Sequence, residues 1–389
     1  MFNALKVLEL ASVLAGPSVG QFFAELGAEV IKVENIHTGG DVTRTWKVKD
    51  EKTDDRSAYF CSVNWGKKSI ALDLNSREGK EIIYTLAKRS DIVLASYKSG
   101  DAEKLGVDYK TLSSLNPQLI YGQITGFGSN SPRVGYDAVI QAEAGFMFLN
   151  GEPGGTSLKM PVAIMDILAA HHLKEGILLA LIRKNTTGKG EFVEVSLLQA
   201  AVASLANQAS NFLVAGTIPQ KQGSAHPNIA PYGDVFKTND RHEILLAIGT
   251  DRQFRSLCEI LGIGETSWNA FQTNELRLKK RSALNLILEE RIGFLSLDRL
   301  ITDLEKAHIP YGVVKNMKEV FDTLEAQPIL LRSPDRIGVR TFVGNTFLDF
   351  DSHFPPPPHF GEHSREILIQ SLEMPLNAIQ ELQEKGIIL

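Results

Sequence analysis

The residue in this chain best suited to covalent chemistry is Asp166. It is the one carboxylate inside the apolar stretch PVAIMDILAAHHL, residues 161–173. An ionised group there is costly to bury without a partner or a purpose, which makes it a candidate functional group. The same residue type ahead of an apolar helix is also a common N-cap. Spacing alone favours the cap. The two readings are compatible, because a carboxylate at a helix start faces backbone N–H groups that also suit a developing oxyanion.

Other chemistry-bearing residues fall into small groups. His171 and His172 are adjacent, so they point to different helix faces and form no metal pair. Lys67 and Lys68 in NWGKKSIALD, with Lys98 and Lys104 in SYKSGDAEKLG, place cations beside expected strands and helices. Phosphate binding needs such local cations, and solvated surface lysine is the plain alternative. The loop A-G-P-S-V-G, residues 15–20, follows an apolar run and opens a helical one. Its Gly-x-x-x-Gly spacing with Pro17 inside does not match the G-x-G-x-x-G of dinucleotide sites, so it reads as a structural turn.

These residues must be positioned by an alternating framework. KVLEL, ASVLAGPS, VGQFFAELGA and EVIKVE run as strand, turn, helix and strand, a βαβ unit. SIALDL, the helical SREGKEIIYTLAKR, the apolar DIVLASY and then LIYGQITGFG continue the pattern. An α/β fold with a mostly parallel sheet follows. MDILAAHHLKEGILLALIRK, residues 165–184, has helical spacing and is apolar on most sides, which predicts a buried helix. The stretch GTIPQKQGSAHPNIAPYG reads as a linker into a second unit, which opens with a strand pair around Asn239 and Asp240.

Composition narrows the function classes. The chain has 389 residues, 43% hydrophobic and 22% charged, enough for two globular domains. A net charge of −5 excludes a broad cationic surface for nucleic acid, so any anionic ligand is bound locally. No apolar run is long enough for a membrane span. The N-terminal MFNALKVLELASVLAG reads as a strand instead of a signal peptide, and the two cysteines, Cys61 and Cys258, make no disulfide framework or zinc pattern. A cytoplasmic location is the expectation.

Taken together, VLAGPSVGQFFAELGAEVIKVEN, the GGD at 39–41, NWGKKSIALDL, the segment around Asp166, RKNTTGKGEFVEVSLLQAA and the late GEHSREIL resemble the class III CoA-transferase family (CaiB/BaiF type). The resemblance implies a Rossmann-like large domain from residues 1–215 and 335–389, an inserted smaller α+β domain at 225–325, and linkers at 216–224 and 326–334. It also implies an interlocked, ring-like homodimer. Coenzyme A is then substrate and product, with acyl-CoA and a carboxylic acid as partners and no tightly bound cofactor or metal. Asp166 becomes the nucleophile. CoA and substrate contacts are expected from Val13, Leu14, Ala15, His37, Lys67, Lys68, Tyr97, Lys98 and Lys104, with Tyr136 and Asp137 lining the site.

Three departures refine this expectation. The 2-methylacyl-CoA racemases of the same fold carry histidine in a Gly-His-Asp triplet; here the triplet is Gly135-Tyr136-Asp137, and tyrosine is a poor base near neutral pH. The glycine-rich loop of the formyl-CoA branch corresponds to SAHPNIAPYG, which has no glycine run, and Leu14 stands where that branch has glutamine. The arginine that follows the second strand in the family has only His37 nearby. A CoA-transferase is therefore the leading expectation, with a racemase or a non-catalytic CoA-binding protein as the alternatives.

Overall fold

Strand β1 (Lys6–Leu10) carries four buried residues in a row after an exposed Lys6, the pattern of a strand covered on both faces. Helix α1 (Ala15–Glu25) links it to the parallel strand β2 (Glu29–Asn35), the predicted βαβ unit. The structure is a computed structural model that describes residues 2–344 and 354–389. Strand β3 (Lys68–Leu72), helix α2 (Arg77–Lys88), strands β4 (Ile92–Ala95) and β5 (Ile120–Thr125), and helices α3 (Asp137–Glu143) and α4 (Ile164–Thr187) follow. Strand β6 (Phe192–Ser196) and helix α5 (Leu197–Ala203) complete the run.

The six strands are all parallel and lie in the order β3-β2-β1-β4-β5-β6. Strand order reverses between β1 and β4, and in such sheets a crevice opens beyond the C-terminal ends of the strands at the reversal. Leu8, Leu10, Ile31, Ile70 and Leu72 bury against Ile82, Ile83 and Leu86 of α2. Because strand side chains alternate, Glu9 and Lys32 point to the opposite face, where both are nonetheless buried. Buried charge inside a parallel sheet requires partners, and these shape the site described below.

Helix α4 departs from the expected all-round burial. Met165, Asp166, Ala169, Ala170, Leu173, Lys174, Ile177 and Ala180 form one buried stripe at helical spacing, whereas Leu179 and Ile182 are 67% and 65% exposed. The apolar sequence conceals an inner and an outer face of similar hydrophobicity, so periodicity could not separate them.

The chain forms two compact units. One comprises residues 1–144, 160–206 and 324–389, the other 145–159 and 207–323. The second has an antiparallel sheet of β7 (Tyr232–Lys237), β8 (Glu243–Ala247) and, after helices α6 (Asp251–Ile260), α7 (Arg281–Ile292) and α8 (Leu297–Lys306), β9 (Tyr311–Val313). The β7–β8 connection turns at Asn239 and Asp240, as predicted. Phe236, Ile244, Leu246, Phe254, Leu257, Leu288 and Leu300 share its core.

The chain then returns to the first unit with β10 (Leu330–Arg332), β11 (Ile337–Val339), α9 (Ser364–Gln370) and α10 (Leu376–Glu384). Ile367, Leu368, Ile379 and Leu382 join the core that holds Leu72. No described helix is long and apolar enough to cross a membrane.

Candidate active site

The C-terminal ends of four strands converge on a cavity of about 250 Å³. The β1 end contributes Ser12 to Gly16, the β4 end Ser96 to Ser99, the β5 end Ile124, Thr125, Gly126 and Gly128, and the β6 end Leu197. Ser131 and Arg133 to Tyr136 close one side, and Asp166 reaches in from the first turn of α4. The cavity thus sits at the switch point that the strand order dictates.

The loop after β1 has an unusual backbone. Val13 has φ of +73°, a left-handed conformation that a β-branched residue adopts only when its surroundings impose it. Its N–H donates to the Asp41 carboxylate, 3.2 Å to Oδ2 and 3.4 Å to Oδ1. Asp41 also pairs with Lys32 Nζ at 2.9 Å, and Lys32 with Glu9 at 3.1 Å. Lys67 Nζ meets Glu9 Oε2 at 2.7 Å, and Arg44 meets Glu34 at 2.6 Å, so three carboxylates are matched by three cations. The two lysines also grip the loop's carbonyls, Lys32 at Ala11 O (2.9 Å) and Lys67 at Pro17 O (2.8 Å).

These pairs set the charge states beneath the loop. Burial pushes the Lys32 ammonium down, but Asp41, Glu9 and Glu34 outweigh it and hold the group above its ordinary range. Burial lifts the Asp41 carboxyl, yet the Lys32 charge and the Thr43 N–H bring it below the usual value. For Lys67 burial prevails over Glu9 and lowers the ammonium to about 8. Gly16 is required by packing, since a Cβ there would stand 2.3 Å from the Ala11 Cβ.

Asp166 is 8% exposed and carries no hydrogen bond or ion pair among the described residues. Burial, with the nearby charge of Asp137 adding to it, pushes its carboxyl up to about 7. The helix N-cap is Ala163, which corrects the capping reading: Asp166 lies inside the first turn and caps nothing. The expectation of free N–H groups at this helix start holds in part: the Asp166 N–H has no partner among the described residues, whereas its neighbours are engaged. Ile164 N–H donates to Val162 O at 2.8 Å and Met165 N–H to Asp137 Oδ1 at 2.9 Å. Asp137 is thereby a clamp between helices, its Oδ2 also accepting from Gln141 Nε2 at 2.7 Å.

Of the residues singled out from the sequence, Val13, Leu14, Ala15, Tyr97, Lys98, Tyr136 and Asp166 line the cavity. Five do not. Asp137 sits behind the wall as described, and Lys67, fully enclosed by Glu9, Asn64 and Pro17, presents no charge to a ligand. Lys68 bridges Glu29 (3.2 Å) and Glu366 (2.8 Å), Lys104 pairs with Asp101 (3.0 Å), and His37 pairs with Asp73 (3.2 Å).

Sequence reasoning missed Arg133, which lines the cavity, and Tyr59, which does not line it but feels the charge of Asp166. Tyr59 is half-buried, and its phenol is pushed up to about 12 by burial, with Asp166, Asp137 and Asp41 adding to the effect, so it remains a hydrogen-bond donor. Nothing in SAYFC marks it, because only the fold brings it within range of that charge. Arg133 lines the cavity with its guanidinium over the Phe127 ring, 4.0 Å from the centroid, and paired to Glu143 at 2.6 Å. Its segment is fixed where Gly126 and Gly135 touch: a Cβ on either would stand 2.6 Å from the other's backbone.

Comparisons with known proteins extend over most of the chain. A family model described as CoA-transferase family III matches residues 2–364. Succinate–glutarate CoA-transferase of Agrobacterium fabrum is 37% identical over 385 residues, covering 95% of each chain. Succinyl-CoA:glutarate CoA-transferase of Homo sapiens is 35% identical over 396 residues, covering 99% of this chain and 89% of that protein. The crystal structure of a CaiB/BaiF family protein from Brucella suis superposes with a TM-score of 0.84 at 39% identity, covering 94% of this chain and 98% of that one.

Proposed function

The chain belongs to CoA-transferase family III, and from that premise we propose that it moves coenzyme A from an acyl-CoA thioester to a free carboxylic acid through Asp166. The observation that carries this reading is a carboxylate buried without a partner in the wall of the switch-point cavity. Withholding hydrogen bonds from a carboxylate preserves its nucleophilicity once it ionises.

The ionised Asp166 attacks the thioester carbonyl, giving an aspartyl anhydride and releasing the CoA thiolate. The thiolate attacks the aspartyl carbon, giving an aspartyl-CoA thioester and the first free acid. The acceptor carboxylate attacks that thioester, re-forming an anhydride and a thiolate, and the thiolate then takes the new acyl group and frees Asp166. Each step is acyl transfer through a tetrahedral oxyanion. With the Ile164 and Met165 N–H groups already engaged, the Tyr136 hydroxyl on the cavity wall is the side-chain donor we assign to that oxyanion. The loop at Val13, Leu14 and Ala15 and the β4 end at Tyr97 and Lys98 are assigned to CoA.

The relatives named for succinate or succinyl-CoA and glutarate make short dicarboxylic acids the substrate class we favour. We also propose that two copies associate as an interlocked homodimer, which would cover the exposed Leu179 and Ile182 of α4.

The test is to incubate the protein with a panel of acyl-CoA thioesters, quench with hydroxylamine or borohydride, and map the modified residue by mass spectrometry. Modification at Asp166 that disappears in Asp166→Ala is the expected result. An unmodified Asp166 combined with α-proton exchange into a 2-methylacyl-CoA in deuterated water would overturn the reading in favour of racemase chemistry.

A further inference from the structure

The described wall of the Asp166 cavity contains two cationic side chains, Lys98 and Arg133. They differ in how they are held. Lys98 is exposed and has no carboxylate partner among the described residues, so it is a mobile point charge suited to a solvated anion such as a phosphate. Arg133 is fixed on two sides, its guanidinium lying over the Phe127 ring and its Nη2 bonded to Glu143 Oε1. A guanidinium has five N–H donors in a planar fork. The contact with Glu143 takes one of the two N–H groups of Nη2 and leaves the other to form a bidentate edge with Nη1 or with Nε for a second carboxylate.

The electrostatics of the cavity call for such a group. Asp166 lies in its wall and Asp137 stands behind it, and the charge of Asp137 already weighs on Asp166. An acyl chain ending in a second carboxylate brings a further negative charge into this enclosed space, where it is repelled unless a fixed cation receives it. A chain ending in methyl has no such repulsion, but it covers part of an arginine side chain that is 53% exposed in the free protein and gives its guanidinium no bond in return. A site built to bond a polar group rejects the analogue that lacks it far more strongly than an apolar pocket rejects one extra group.

We propose that Arg133, set by Phe127 and Glu143, is the specificity-determining residue that binds the distal carboxylate of a dicarboxylic acyl chain while Asp166 reacts at the thioester end. This rests on the reading of the chain as a CoA-transferase acting through Asp166. It goes further by assigning substrate choice to one side chain.

The experiment compares succinyl-CoA with butyryl-CoA, which replaces the distal carboxylate by a methyl group of similar length. The ratio of kcat/KM for the two is measured in the wild type, Arg133→Gln, Arg133→Lys and Lys98→Gln. The wild type is expected to favour succinyl-CoA by roughly 10–100-fold, the span of a charge-assisted hydrogen bond. In Arg133→Gln the ratio falls toward one because succinyl turnover drops while butyryl turnover does not. In Lys98→Gln both thioesters lose in parallel and the ratio stays.

A wild type without preference, or an Arg133→Gln enzyme that keeps the preference, overturns the proposal. If Arg133→Gln is inactive with both thioesters, Arg133→Lys decides. A retained preference supports the charge-binding role, and loss of both activities overturns it, since arginine then serves both chains alike. Failure of the underlying reading looks different: no acyl group appears on Asp166 of the wild type with either thioester.

Discussion

The Val13 N–H is received by the carboxylate of Asp41, 28 residues further along the chain, at 3.2 Å to Oδ2 and 3.4 Å to Oδ1. The bond fixes a left-handed valine at the mouth of the cavity, and Asp41 is in turn held by Lys32 at 2.9 Å. A strained backbone at a binding loop persists only when its surroundings over-determine it. Asp41→Asn keeps the shape of the side chain but removes the charge that balances Lys32. The expected outcome is a loss of about 3–5 kcal/mol in stability, the range for removing one partner of a buried pair, together with a raised KM for CoA. Chemical denaturation and steady-state kinetics check the two parts.

The lysines give a second prediction, in which one charge is structural and the other is presented to ligand. Lys67 is sealed against Glu9, whereas Lys98 is exposed on the cavity wall. Lys67→Met should therefore lower the urea midpoint strongly, by an amount on the order of 3 kcal/mol or more in stability. Lys98→Gln should leave the midpoint in place and weaken CoA binding instead, with the loss shrinking as salt rises because an exposed charge is screened. Titration calorimetry with CoA at two ionic strengths separates these outcomes.

The same pair shows what was legible in the sequence. Apolar runs and Gly/Pro turns identified the strands and the parallel sheet, because each is a local pattern with its own period. Asp166 stood out as a lone acid among apolar residues. Lys67 and Lys98 look alike in sequence, however, since each lies in a polar stretch beside a strand. Only the fold turns one beneath the β1 loop and the other toward the cavity. Tyr59 and Arg133 were illegible for the same reason: their surroundings depend on which distant residues the sheet order brings near them. The charge network Glu9, Lys32, Asp41 and Lys67 is likewise spread over four separate segments.

Contact between two glycines predicts a third outcome. Gly126 and Gly135 approach so closely that a Cβ on Gly135 would stand 2.6 Å from the Gly126 Cα, a backbone atom that cannot swing aside. Gly135→Ala should push away the segment carrying Arg133 and Tyr136. Overpacking of this kind costs about 1–3 kcal/mol. Displacing reacting groups by about 1 Å costs on the order of 10²-fold in rate, so kcat should fall further than stability alone explains. A soluble, folded Gly135→Ala enzyme with unchanged kcat would show that this contact does not position the site.

The carboxyl of Asp166, pushed up to about 7 by burial and by Asp137, gives a prediction in both rate and stability. The nucleophile must be ionised, so the rate of acylation at Asp166 should rise about tenfold per pH unit below 7 and level off above it. Stability moves the opposite way. The unfolded chain ionises this residue near 3.9, whereas the folded protein holds its proton to about 7, so between those values the folded state binds more protons. Its contribution is fully present below the unfolded value and is lost as pH rises through about 7, to an upper bound of roughly 4 kcal/mol. Asp166→Asn cannot ionise. Its melting temperature relative to the wild type should climb between pH 5 and pH 8 and stay flat beyond, while acylation is abolished at every pH. A constant difference across that range would mean that Asp166 is ionised in the folded protein well below pH 7, and the rate profile should then lose its rise as well.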